Sequence, residues 1–110
     1  MYDMKNLGKF EKLGELAPEA FAAFRKFDAL AVAPGAIPAK YKELIAVAVA
    51  HATQCPYCIR GHTELALRKG ATQQEVMEAI WVAAEMRAGA AYAHSNIALD
   101  AMNRFAASQP

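Results

Sequence analysis

Prolines divide this chain into separate helical segments, and no stretch carries the two-residue period of a β-strand. Pro18 suits the first turn of a helix, where its missing N–H costs nothing, and Pro34-Gly35 ends that helix. Pro38 starts the next helix and Pro56 starts a third. We therefore predict an all-α fold of about five to six helices in one domain.

The second half of the chain continues this pattern with a long helix. Gly70 provides the stop of the third helix, and Thr72 with Glu75 has capping-box spacing. That pair predicts the start of a long helix, in which Gly89 is a candidate break. A final apolar segment finishes the domain, which we assign to residues 1–110.

The apolar share of the sequence, 55%, is high for a domain this small, because a small domain has a poor ratio of core to surface. The run Leu44 to Ala50 is interpreted as a buried helix. Another row of apolar side chains recurs every three residues, as a core or interface stripe does: Phe21, Phe24, Phe27 and Leu30. Burial between subunits explains the excess, so we predict a homo-oligomer.

The charges and the first residues exclude other classes of partner. The chain has 12 basic and 11 acidic residues, a net charge of +1, with both signs scattered. A nucleic-acid surface needs a clustered basic face, so we expect no nucleic acid. No stretch reaches the roughly 20 apolar residues that span a bilayer, so we expect no membrane segment. Met1 to Phe10 carries no secretory signal, and the expected compartment is the cytoplasm.

The two cysteines of the chain lie in one motif, Cys55-Pro56-Tyr57-Cys58. Pro56 disfavours helical geometry at Cys55 and places that residue at the helix N-cap. The two sulfurs can then meet in a disulfide or stand apart as thiols. Unpaired N–H groups and the dipole at a helix start stabilise a thiolate, which is the reactive form of cysteine. In the cytosol this spacing indicates redox chemistry or metal binding more than a static disulfide.

An acid and a histidine accompany the cysteine pair. His62 follows Cys58 by four residues and shares its helix face. Glu43 lies on one line with Val47 and Ala50, and a buried glutamate needs a partner; exposure in the first turns is the alternative. If the two helices pair antiparallel, the helical rise of about 1.5 Å per residue brings Glu43 level with His62. Glu43 would then orient His62, and His62 would exchange a proton with Cys58.

Other kinds of site fit the motif less well. A c-type haem site requires histidine directly after the second cysteine, where Ile59 stands. Zinc could take Cys55, Cys58 and His62 with a fourth ligand, but a helix start is not a zinc-knuckle turn and no second such motif exists. An inert, buried thiol pair is a further alternative. His51 and His94 are interpreted as ordinary helix residues outside the site.

These residues resemble the alkylhydroperoxidase D (AhpD-like) group of the carboxymuconolactone decarboxylase superfamily. The shared pattern is a glutamate, eleven residues, CxxC, three residues and a histidine, here from Glu43 to His62. Residues 64–72 and 86–91 are also similar to this group, and the resemblance covers residues 15 to 105. The group often has histidine before the second cysteine, where this chain has Tyr57, and its founding members contain two helical units rather than one.

The resemblance implies an all-helical AhpD-like fold, often a hexamer built as a trimer of dimers, that reduces hydroperoxides without metal or organic cofactor. Cys58 would be the attacking thiol, Cys55 the resolving thiol, and Glu43 with His62 the proton relay. An external dithiol or thiol would regenerate the pair. From physical reasoning alone the order of the cysteines stays open, because Cys55 is nearer the helix end and Cys58 is nearer the imidazole.

Three other functions remain as alternatives to the peroxidase. One is a disulfide oxidoreductase, and another is a zinc-binding or redox interaction module. The third is a carboxymuconolactone-decarboxylase-like enzyme that uses Glu43 and His62, with the thiols incidental. The decarboxylase branch typically lacks the cysteine pair, which counts against that activity here.

Overall fold

The computed structural model describes residues 2–110, and within them every regular element is a helix. The all-α prediction is therefore confirmed. The chain begins with a 3₁₀ helix and continues with five α-helices. Their bounds, in order, are 3₁₀ Met4–Lys9, α1 Phe10–Gly14, α2 Pro18–Val32, α3 Ala39–Thr53, α4 Pro56–Arg68 and α5 Gln73–Ala107.

The helices begin and end where local chemistry requires it. Pro18 and Pro56 occupy the first turns of α2 and α4, as predicted. Gly70, just beyond α4, has a φ of 96°, a left-handed conformation that suits glycine. Both hydrogen bonds of the predicted capping box are present at the start of α5, where the Thr72 hydroxyl accepts from the Glu75 N–H and the Glu75 carboxylate accepts from the Thr72 N–H.

The long helix is not broken at Gly89, which corrects the sequence interpretation. Helix α5 runs without interruption from Gln73 to Ala107. A glycine inside a helix costs only about 1 kcal/mol relative to alanine, and the surrounding Ala88, Ala90 and Ala91 are the best helix formers. No proline lies between Gly89 and Ala107 to remove a backbone donor, so the final segment continues the same helix instead of forming another.

Helix α3 is the central element and packs against both α4 and α5. A small buried cluster of Val47, Ala66, Ala71 and Val76 joins the three helices. Polar contacts tie the same helices at their ends. Lys40 pairs with Glu75 at 3.0 Å where α3 and α5 begin, and the Arg87 guanidinium donates to the Ala52 carbonyl at 2.6 Å where α3 ends. Both ends of helix α3 are thereby fixed to α5.

Much apolar surface lies outside this core. Phe24, Phe27 and Leu30 on α2 are each more than 60% exposed, so the predicted stripe is not part of a core within one protomer. Ile45 and Val49 are about half exposed, which corrects the expectation that the whole run Leu44–Ala50 is buried. One helix face, not the full circumference, contacts α4 and α5.

The outer part of α5 extends away from the other helices. Residues 90–110 are all exposed, and the molecule measures 65 × 37 × 33 Å. The exposed part includes large apolar side chains, namely Tyr92, Ile97, Leu99, Met102 and Phe105. No helix formed by residues 2–110 is both long enough and apolar enough to cross a bilayer.

Candidate active site

The two cysteines are bonded to each other at the start of α4. Cys55 is the N-cap residue, with the extended backbone that the following proline favours, and its sulfur accepts a hydrogen bond from the Cys58 N–H at 3.3 Å. The Cα atoms of Cys55 and Cys58 are 5.3 Å apart and their sulfurs form a disulfide. The predicted N-cap position and the predicted ability of the sulfurs to meet are both confirmed.

Glu43 and His62 form a hydrogen-bonded pair between α3 and α4. The Glu43 side chain is only 3% exposed, and its Oε2 lies 2.7 Å from His62 Nδ1. The pairing of Glu43 with His62 that was expected from an assumed antiparallel hairpin is therefore present, and the exposed alternative for Glu43 is wrong. An ionised carboxylate can only accept a hydrogen bond, so with Glu43 ionised the hydrogen of this contact is on Nδ1, and Nε2 is the ring nitrogen outside the contact.

A short turn between α3 and α4 brings Glu43 and His62 opposite each other. Helix α3 ends at Thr53, and Gln54 adopts a left-handed conformation with φ 59°. The Cys55 N–H then donates back to the Ala50 carbonyl at 3.0 Å. The chain reverses direction over two residues, so positions at similar distances before and after the turn lie opposite each other. The cysteines stand at the turn, and the Glu43–His62 pair lies farther along the hairpin.

The remaining histidines are not drawn into this site. His51 Nδ1 lies 2.8 Å from the Val47 carbonyl, within its own helix, and His94 is exposed on α5. Across residues 2–110, no three cysteine, histidine or acidic side chains converge in a way that could hold a metal ion.

Tyr57, which directly precedes Cys58, makes contacts that could not be predicted from the sequence. The Tyr57 hydroxyl accepts a hydrogen bond from the Asn6 amide at 3.2 Å. The rings of Tyr2 and Phe10 pack edge-on against the Tyr57 ring, with centroids 5.8 and 6.0 Å away. These partners are about fifty positions distant in the sequence, and no helical period or motif links such positions.

A surface groove adjoins the cysteine motif on the side of the 3₁₀ helix. Its volume is about 620 Å³, and most of its wall is apolar. On its rim the Arg60 guanidinium bonds Glu64 at 2.7 Å and holds the pKa of that carboxyl below its usual value. The residues lining the groove are Met4, Pro56, Ile59, Arg60, Thr63 and Glu64.

Comparison with known proteins places these features in a wider group. The model of the carboxymuconolactone decarboxylase family matches residues 18–101. A Paracoccus denitrificans protein described as uncharacterized protein 4 in cox locus is 57% identical over 93 residues, covering 84% of this chain and 81% of that protein. An uncharacterized protein of Cupriavidus necator is 40% identical over 98 residues, covering 86% and 87% respectively.

Two crystal structures share the fold. One is of a protein from Methanobacterium thermoautotrophicum, with a TM-score of 0.72 and 37% identity, covering 76% of this chain and 93% of that one. The other is of the apo form of a carboxymuconolactone decarboxylase family protein from Legionella pneumophila, with a TM-score of 0.71 and 31% identity. That comparison covers 93% of this chain and 96% of the other.

Proposed function

The chain belongs to the carboxymuconolactone decarboxylase family, and on that premise we propose that it is a thiol-dependent peroxidase of the alkyl hydroperoxide reductase type. The observation that carries the proposal is the joint placement of a bonded Cys55–Cys58 pair and a buried Glu43–His62 hydrogen bond on one helical hairpin. Family membership and the cysteine pair fit a redox role. The reduction of hydroperoxides is the specific step that we add.

The proposed cycle starts from the reduced pair. The Cys58 thiol gives its proton to His62 Nε2, and the thiolate attacks the hydroperoxide, which leaves a sulfenic acid on Cys58 and releases ROH as the proton returns to the leaving oxygen. The Cys55 thiol then displaces water from the sulfenic acid and forms the disulfide. An external dithiol reduces this disulfide and is itself oxidised.

The surroundings of the two cysteines support a different role for each. Cys58 is exposed and lies one helical turn before His62, so it can meet both a substrate and a proton acceptor. Cys55 is half-buried, and its sulfur already accepts the Cys58 N–H. We therefore assign attack to Cys58 and resolution to Cys55. Glu43 orients the imidazole by holding the Nδ1 hydrogen, which leaves Nε2 as the acceptor.

We also propose that the protein works as a homo-oligomer, and the resemblance to AhpD-like proteins favours a hexamer. The support is the apolar surface left open on one protomer, on α2 and along the outer part of α5. Soluble monomers rarely expose contiguous apolar patches larger than a few hundred Å². A second copy of the chain is the partner that this surface fits.

Stopped-flow consumption of cumene hydroperoxide, with thiols counted before and after, tests the proposed reaction. The reduced protein has two thiols per chain and should lose both for each hydroperoxide consumed. Cys58→Ser should abolish turnover, and Cys55→Ser should allow one oxidation and then stall at the sulfenic acid. His62→Ala should slow the oxidation by about 10²- to 10⁴-fold, with His94→Ala as the matched control.

Other outcomes separate the alternatives. Full hydroperoxide consumption by both cysteine variants would exclude the cycle. Exchange of the disulfide with protein thiols, without hydroperoxide consumption, would indicate a disulfide oxidoreductase. Turnover of a lactone acid after complete thiol alkylation would indicate a decarboxylase. Stoichiometric zinc in the purified protein would favour the binding module.

A further inference from the structure

The first residues of the chain lie outside the part that the family model matches, residues 18–101, yet they contact the redox motif. The 3₁₀ helix Met4–Lys9 packs against α4. Side chains of this helix and of the residues on either side of it contact Tyr57, one of the two residues between the cysteines. The contacts with the redox motif therefore come from residues outside the part that the family model matches. We call residues 2–10 the N-terminal segment.

The contacts converge on one side chain. Tyr57 receives a hydrogen bond from Asn6 at 3.2 Å and edge-on ring contacts from Tyr2 and Phe10. Its hydroxyl and its ring are thus both held by the N-terminal segment. Edge-to-face packing stabilises a ring pair beyond the area that the rings bury, so the two ring contacts reinforce the hydrogen bond.

We propose that Tyr57 is a positioning residue for the cysteine pair, and that the N-terminal segment acts through it to favour the disulfide over the dithiol. Tyr57 lies between Pro56 and Cys58, in the first turn of α4. Fixing its side chain fixes the backbone that carries the Cys58 sulfur toward Cys55. A backbone that is already held in the geometry of the disulfide form loses less conformational freedom when the Cys55–Cys58 bond forms, which is the general benefit of preorganisation.

The inference has a reciprocal consequence. With glutathione the reaction is Cys55–S–S–Cys58 + 2 GSH → two cysteine thiols + GSSG, so two electrons and two protons pass to the pair. If the N-terminal segment docks more tightly on the oxidised motif than on the reduced motif, docking lowers the equilibrium constant for reduction of the disulfide by some factor. Reduction must then lower the equilibrium constant for docking of the segment by the same factor. One coupling therefore appears in two independent measurements.

The first measurement is the equilibrium of the disulfide with mixtures of GSH and GSSG. Asn6→Ala and Tyr57→Phe each remove the same hydrogen bond, and each should raise the equilibrium constant for reduction about fivefold, which raises the potential by about 20 mV. The double variant should match either single variant, because the second change removes nothing further. Phe10→Ala should shift the equilibrium in the same direction. Asn96→Ala, an asparagine whose amide bonds only its own helix, is the matched control and should leave it unchanged.

The second measurement is limited trypsin cleavage at Lys9, which reports opening of the N-terminal segment when opening and reclosing are fast. Cleavage of the wild type should be at least fivefold faster after reduction, and this ratio should fall toward one in Asn6→Ala. Cleavage at Lys26 on α2 should not depend on the redox state. An unchanged equilibrium in Asn6→Ala and Tyr57→Phe, or equal cleavage at Lys9 in both redox states, would overturn the proposal.

The inference rests on the proposed function only in requiring that the cysteine pair be reducible. Both measurements are made without hydroperoxide. A failure of peroxidase turnover would therefore leave the coupling measurable, and a missing coupling would leave the peroxidase proposal intact.

Discussion

Replacing His62 by alanine should destabilise the protein mainly because the buried Glu43 carboxylate loses its hydrogen-bond partner. Glu43 is 3% exposed and its carboxylate bonds His62 Nδ1 at 2.7 Å. At present no buried side-chain nitrogen or oxygen within residues 2–110 lacks a hydrogen-bond partner. The His62→Ala substitution would create such an atom, on a group that is costly to bury alone.

The expected cost follows from the burial of the two partners. Losing a hydrogen bond to a charged group costs about 1.5–3 kcal/mol, and breaking a fully buried ion pair costs about 3–5 kcal/mol. The His62 side chain is 26% exposed, so water can enter from its side and partly replace it. We therefore expect a loss of about 2 kcal/mol in the free energy of unfolding.

Urea unfolding of the oxidised protein at one fixed concentration measures this loss. With a slope of about 2 kcal/mol per molar urea, the midpoint of His62→Ala should fall by about 1 M. Adding Glu43→Leu removes the stranded carboxylate, and the double variant should regain stability over His62→Ala alone. His94→Ala, an exposed histidine on α5, should change stability by less than about 0.5 kcal/mol.

Two results would refute this reasoning. One is a His62→Ala midpoint indistinguishable from that of His94→Ala. The other is a Glu43→Leu substitution that destabilises His62→Ala by as much as it destabilises the wild type. Either would mean that the buried carboxylate does not depend on the imidazole, and the orienting role proposed for Glu43 would lose its basis.

Three further predictions concern the N-cap of α5, the charge of Glu75 and the proposed assembly. Thr72→Ala should cost about 1 kcal/mol in urea unfolding at neutral pH because it removes the N-cap of α5. The hydrogen bond from the Thr72 N–H, and after it the one from Lys40, holds the pKa of Glu75 in the folded protein below its ordinary value of 4.5. The stability that the ionised Glu75 adds is therefore fully present above pH 4.5 and is lost as the pH falls through the lower pKa of the folded state. Glu75→Gln should accordingly be less stable than wild type at pH 7, with the difference vanishing in acid; a constant difference would contradict this. In light scattering, the wild type should have a mass several times that of one chain, and Phe27→Glu should lower it while the neighbouring Lys26→Glu does not. A monomeric wild type would exclude the oligomer.

Several helix boundaries and the meeting of Glu43 with His62 could be predicted from the sequence, because each depends on chemistry close in the chain. Pro18, Pro56 and Gly70 act through their own backbone restrictions. The Glu43–His62 pairing is also nearly local, since a tight turn converts sequence distance into helical rise. Gly89 shows the limit of such rules, because the cost of one glycine is small beside the propensity of its alanine-rich surroundings.

The contacts of Tyr57 could not be predicted in this way. Asn6 and Tyr57 are 51 positions apart, and their meeting depends on how the 3₁₀ helix packs on α4. The exposure of the apolar side chains on α2 could not be predicted from the sequence either. Apolar periodicity places Phe24 and Phe27 on one helix face, but it does not say whether the covering surface belongs to the same chain.

The left-handed Gln54 turn folds one stretch of twenty positions back on itself, so that Glu43 and His62 meet across it. These two residues and the disulfide belong to α3, α4 and the turn between them, and none of them is carried by α2 or α5. Substitutions on the outer faces of α2 and α5 can therefore change the assembly that we propose while the contacts within the hairpin stay in place.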